Sequence, residues 1–418
     1  MYRFLLWLKQ PSNTLWVKPT LGALLALIIA FSSYWIDRWL PAQTLPKINI
    51  DIVDDLLNII ASSMLAVSTF SLSIMIAAFS SVASNATPRA TELIIADGTT
   101  RTAISSFLSA FIYAVIAKIL LGLGIFGTNG LFILFGCIVI LLLYLVVVLI
   151  RWVQTLSGLG RLKNTLDRIQ QKATESLHYY RNNPNLGTAA KITDLKQVRS
   201  IYSQKIGYLI NINLSGLQHW AEDNDCSLHI MVRVGNWLMP NKAMVLVQRD
   251  HFQDIDFDEI NRFFIVDSQR KFEQDPSFGL SVLSEVAQRA LSPAINDSGT
   301  ALTVLATLAQ LLIERPIEKE DDRYFDRLSI VPLDEGIFIE ESIAPIARDG
   351  ATNINIGIAI LKTLATIYHQ APTVELSLAA QKEAENTLQR SIEILSFEND
   401  KRLISDVYQQ LFGYKLSQ

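Results

Sequence analysis

The chain runs to 418 residues, half of them apolar, with a formal net charge of −4. That mildly acidic balance leaves no basic footprint for nucleic acid, and two cysteines cannot build a disulfide framework. The apolar residues are concentrated before residue 154, where four long stretches occur, and the rest of the chain has none.

The stretches lie near Leu15–Leu40, Leu56–Ser84, Ala103–Phe126 and Leu131–Leu156. Each holds the roughly 20 residues that a helix needs to cross a bilayer. The first is framed by Trp16 on one side and by Tyr34, Trp35 and Trp39 on the other, and it lacks a small-residue cleavage site. It is therefore expected to be a retained span with interfacial aromatics rather than a signal peptide.

Charge fixes the expected orientation, because Lys and Arg beside spans are kept on the cytoplasmic side. Arg3 and Lys9 precede the first span and Lys18 stands at its start, and Arg151, Arg161, Lys163, Arg168 and Lys172 lie at the end of the fourth or beyond it. At the far end of the first span and beyond it, Asp37, Asp51, Asp54 and Asp55 outweigh Arg38 and Lys47, which suits the outer side. Four spans with both termini cytoplasmic satisfy these observations.

The second span carries an unusual pattern. At 100° per residue, Ser62, Ala66, Thr69, Ser73, Ala77, Ser80 and Ser84 fall in one stripe about 60–80° wide, and Leu65, Leu72, Ile76 and Phe79 are expected on the opposite side. A face of small and hydroxyl residues admits another helix at close range or lines a wet path. Both uses stay open. Lys118, inside the third span, faces protein or water, or snorkels to the boundary. After Ser84, Pro88 ends the helix and leaves Arg89 at its mouth, suited to an anion, a lipid phosphate or a neighbouring carboxylate.

Beyond Arg151 the fourth helix is expected to run on as a polar stalk to about Tyr180, with Leu156, Leu159, Leu162 and Leu166 near heptad spacing. Asn182–Gly187 breaks it, and a further helix is predicted near Asp194–Ser203. Tyr208, Ile210 and Ile212 alternate as in a strand, as do Leu228, Ile230, Val232 and Val234, with a short helix between them over Leu214–Asp225. Val232–Val247 resembles the strand, turn and strand of a lipoyl-like unit, but no lysine stands at its tip in a modification context. A small adaptor module is the expected use.

The run Ile265–Ala301 combines a helix with apolar positions Leu280, Leu283, Val286, Ala287 and Ala290 with a turn ended by Pro293. Glu285 and Arg289 stand at i,i+4 on another face of that helix, and Asp297 or Ser298 can cap the next one. Arg270, Gln274, Asp275, Arg289, Asn296 and Asp297 either grip a polar ligand of unknown identity or brace two helices. Helical repeats follow from Ile354 onward, and Leu328–Leu333 and Gly336–Ile339 are predicted as short strands. No Walker loop, GxSxG, HExxH or CxxC is present. Five scattered histidines offer no metal spacing, so no catalytic residue, cofactor or metal site is expected.

The fold class that follows is a membrane α-helical part of four transmembrane helices over 1–154, a helical stalk over 155–205, a small β-rich hairpin module over 206–250, and a mostly helical α/β cytoplasmic domain over 251–418. Gln274-Asp-Pro-Ser-Phe-Gly-Leu280 and Arg289-Ala-Leu-Ser-Pro-Ala-Ile-Asn-Asp297 resemble the bacterial membrane-protein family catalogued as domain of unknown function 2254. The Ser84–Arg89 mouth and the Gly235 hairpin match it as well, while Ala294 and Ser298 depart from its usual glycine and proline. The resemblance implies a bacterial inner-membrane protein and no particular activity. Two functions fit the residues: an oligomeric, channel-like protein with a path lined by the second span, or a membrane-anchored sensor or scaffold whose cytoplasmic domain binds a ligand or partner. The bilayer and further copies of the chain are the expected partners.

Overall fold

The computed structural model of the protein describes residues 45–95, 98–156, 160–189, 198–249, 257–315 and 324–413, together with Gly158 and scattered positions between 20 and 35. The first predicted span, Leu15–Leu40, thus lies largely outside the described residues. The chain divides into two compact units, Met1–Ser84 with Pro88–Thr165, and Asn85–Thr87 with Leu166–Gln418.

The first unit contains α1 (Ile50–Asn85), α2 (Pro88–Ile95), α3 (Gly98–Gly122) and α4 (Thr128–Leu156). Ile50–Asn85, Thr102–Gly122 and Thr128–Leu156 are long and apolar enough to cross a membrane. With 36 residues, α1 spans about 54 Å and overreaches a hydrocarbon core of about 30 Å. The interior is built from Val53 and Leu57 of α1, Phe107 and Ala114 of α3, and Leu134, Ile138 and Trp152 of α4.

The helix predicted as the fourth span does not continue as a stalk. Its helix stops at Leu156, Gly158 N closes a turn on Thr155 O at 3.0 Å, and Gly160 takes φ +78° against Ser81 and Ala78. A left-handed residue at that point cannot stay in a right-handed helix. The chain restarts as α5 (Leu162–Asn182), whose Leu166, Ile169, Ala173, Leu177 and Tyr180 are buried at helical spacing. That face is already occupied within the chain.

The second unit holds two small sheets. One has the order β1 (Val198–Tyr202), β5 (Ala243–Gln248), β3 (Ser227–Ile230), β7 (Leu328–Ile330), with β3 and β7 parallel and the other pairs antiparallel. The other is antiparallel, ordered β4 (Trp237–Leu238), β2 (Gly207–Ile212), β6 (Phe264–Asp267). With α6 (Leu214–Asp223) they enclose a core that includes Leu209, Leu217, Trp220, Leu228, Ile230, Val245 and Leu328.

Four expectations change here. The helix predicted over Asp194–Ser203 is strand β1 in its described part, where Val198, Ile201 and Tyr202 suit a pleated surface. In β2 a bulge between Leu209 and Asn211 shifts the register, so Leu209 and Ile212 point inward instead of a strict alternation from Tyr208. The hairpin expected over Val232–Val247 is split: β4 joins β2 while β5 joins β1 and β3. Gly235, at φ +94°, donates to Leu209 O at 2.8 Å and turns the chain toward β2. Gly336–Ile339 is helical because Asp334 Oδ1 accepts from Gly336 N at 2.8 Å and starts a helical turn.

The helices are α7 (Phe278–Leu291), α8 (Ser298–Ile313), α9 (Gly336–Asp349), α10 (Ile354–Gln370), α11 (Val374–Ile394) and α12 (Glu398–Phe412). α7 packs on α8 and α9, α10 on α8 and α11, and α12 on α10 and α11.

A hydroxyl face and a buried ion cluster

The stripe on α1 is exposed along its length. Ser62, Ala66, Thr69, Ser73, Ala77, Ser80 and Ser84 all lie on the surface of the single chain. Val53, Leu57, Ile60, Ser71, Met75, Ala78 and Val82 are buried, about 180° away by helix geometry. Leu65, Leu72, Ile76 and Phe79 therefore do not lie opposite the stripe but flank it, about 60–120° round the helix. The first three are exposed as well. Four of the five stripe hydroxyls turn back on their own helix: Ser62 donates to Asn58 O at 2.8 Å, Thr69 to Ala66 O at 2.9 Å, Ser73 to Thr69 O at 3.0 Å and Ser84 to Ser81 O at 2.9 Å. Such back-bonding satisfies each donor while leaving an oxygen lone pair outward.

Lys118 is not on this face. Its Nζ lies 3.3 Å from Asp54 Oδ1 and also donates to Asn58 Oδ1, and Asn58 Nδ2 bonds Asp54 Oδ2 at 3.1 Å. The charge is paired near the N-terminal end of α1. Arg89 is exposed in the first turn of α2.

In the second unit Arg270 and Asp275 come together as a bidentate pair, with Nε to Oδ2 at 2.8 Å and Nη2 to Oδ1 at 2.9 Å. Ser277 N, Ser277 Oγ and Phe278 N also donate to Asp275 Oδ1, so five donors converge on one carboxylate that is 1% exposed. Arg270 Nη1 reaches Glu341 Oε2 at 2.9 Å, and Ser281 Oγ donates to that same oxygen at 2.8 Å. Burial weighs against the Arg270 charge, but the bonds and charges of Asp275 and Glu341 outweigh it and hold the guanidinium above its usual range. Burial pushes the Asp275 carboxyl up against the pull of Arg270. It pushes Glu341 up too, yet Arg270 and Ser281 bring that group below the ordinary carboxylate value.

The other members of the predicted cluster stand apart. Gln274 precedes Asp275 with φ +62°, and Arg289 keeps a buried Nε without a hydrogen-bond partner. Asn296 is exposed at φ +49°, and Asp297 caps α8, accepting from Thr300 N at 3.1 Å and Thr300 Oγ1 at 2.6 Å. Those bonds lower the Asp297 carboxyl.

Sequence reasoning missed Glu341, which no local spacing ties to Arg270. It also missed a second buried group, in which Arg181 donates to Leu311 O, Leu312 O and Glu314 O at the end of α8. There Arg233 bonds Val331 O and Pro184 O, and burial together with Glu335 pushes the Tyr180 phenol up to about 12. Among the described residues no group of three or more His, Cys, Asp or Glu is placed to hold a metal ion.

Over residues 12–366 the chain matches the family described as Predicted membrane protein (DUF2254), and it belongs to that family. No curated protein and no solved structure matches it.

Proposed function

We propose that this member of the DUF2254 family is a multi-pass protein of the bacterial inner membrane, with four spans and both termini cytoplasmic. On this reading it assembles as a homo-oligomer around an ion or small-solute path lined by the hydroxyl face of α1, and the second unit regulates that path. One observation supports the reading above the rest: the hydroxyl face is exposed and lies opposite the face that α1 packs into its own chain. Large apolar side chains flank it on both sides, as Phe70 and Leu72 do, which suits helix or lipid neighbours beside a narrow polar strip. So few helices enclose little on their own, so further copies are needed to close a path. The reading assigns the chain no catalytic role, no cofactor and no nucleic-acid partner.

A sensor or scaffold role would place a ligand at the Arg270–Asp275 cluster. Its carboxylate is already saturated by protein donors, which fits a brace better than a receptor site. The channel reading is tested by reconstituting the protein into liposomes and following potassium, chloride and small-solute flux. Ser73→Leu and Ser80→Leu should abolish flux while the oligomer survives, and Ile76→Leu should leave it unchanged. Wild-type liposomes as tight as empty ones would remove the proposal.

A further inference from the structure

Between α1 and α2 the chain crosses from one unit to the other and back. Asn85–Thr87 count with the second unit, although Met1–Ser84 before them and Pro88–Thr165 after them belong to the first. Two of its three residues are buried, Ala86 being 1% and Thr87 4% exposed, while Asn85 is exposed. Thr87 Oγ1 donates to Glu285 Oε2 at 2.8 Å, a bond between residues far apart in sequence. Pro88 has no amide hydrogen and disfavours helix in the residue before it, so α1 cannot run through the insert.

Glu285 stands on α7, which is fixed on its other sides. Ser281 bonds Glu341, and Ser284 donates to Ser342 O at 2.5 Å. Phe278 N bonds Asp275, and a Cβ on Gly279 would fall 2.6 Å from the Ala173 Cβ of α5. A shift of α7 therefore disturbs the ion cluster, α5 and the insert together. The hydroxyl stripe ends at Ser84, one residue before the insert.

We propose that the Thr87–Glu285 bond is a latch through which the second unit holds the C-terminal end of α1, so that movement of α7 is passed by chain continuity to the path-lining helix. The regulatory consequence rests on the channel reading, and the latch itself does not. Full-length protein in nanodiscs tests it by hydrogen exchange at residues 84–90. Thr87→Val and Glu285→Ala should speed exchange there about tenfold, as expected for losing a hydrogen bond to a charged group. Thr87→Ser and Glu285→Gln, which keep a donor and an acceptor, should stay near wild type. Unchanged exchange in both disruptive variants overturns the latch. In liposomes whose wild type conducts, the disruptive variants should change flux, and faster exchange with unaltered flux would overturn its regulatory role. Were the wild type not to conduct, the channel reading would fail while the exchange result still judged the latch.

Discussion

Helix α7 turns its serines toward other elements, whereas α1 turns its stripe of serines and threonine toward none of the described ones. Ser281, besides bonding back to Ser277 O, reaches Glu341, and Ser284 reaches Ser342 O, so the α7 hydroxyls join helices of one unit. On α1, Ser62, Thr69, Ser73 and Ser84 return their hydrogens to carbonyls three or four residues back. Spacing alone does not separate a brace from an open face. The destination of each hydroxyl hydrogen does, because a cross-element bond costs stability when broken and a back-bond on an exposed face does not.

The largest effect that would sharpen this contrast comes from Asp275→Ala. Removing one partner of a buried pair strands the other, and about 3–5 kcal/mol of stability should be lost in denaturant titrations. A loss as small as that of a surface change would break the distinction. Next is Gly279→Ala, where the new Cβ meets Ala173 Cβ at 2.6 Å and its Cα at 2.8 Å. Overpacking there should cost about 1–3 kcal/mol, while Ser73→Leu on the open face should stay within about 0.5 kcal/mol.

A smaller effect belongs to the α8 cap. Asp297→Ala should lower stability by about 1 kcal/mol and Asp297→Asn by little, because both Asp and Asn cap helices well. The smallest concerns acid. Glu341 sits below its ordinary value in the fold, so its contribution is complete above the usual Glu pKa of about 4.3 and is lost as pH falls through the lower folded value. Asp275, raised by burial, acts in the opposite sense. The stability gap between wild type and Glu341→Gln should therefore narrow as the pH drops from 5 toward the acid limit, read from melts at each pH. A constant gap would contradict the assignment.

Much of the helical layout was legible because its causes are local. The apolar periodicity of Leu280, Leu283, Val286, Ala287 and Ala290 marked the buried face of α7, and Asp297 marked a cap. The sheets were less legible, since β7 pairs with β3 from about 100 residues away and the bulge in β2 puts Leu209 inward in place of Tyr208 and Ile210 while Ile212 stays inward. Ser71 illustrates the limit within one helix. Helix spacing sets it on another face from the stripe but does not tell that this face is packed; it is fully buried, so Ser71→Leu would damage packing. The Arg270–Asp275 pair is close in sequence, but Glu341 joins it only through the packing of α9 on α7.

Cysteine scanning of α1 tests the central claim most directly. Cys137 and Cys226 are free and would first be replaced. Single cysteines at Ser62, Thr69, Ser73 and Ser80 should react with a small water-soluble thiol reagent in the assembled protein, and those at Leu65, Leu72 and Ile76 should not, giving a helical period of labelling along one face. Labelling confined to the flanking apolar positions, or none along the stripe, would contradict a wet path lined by α1.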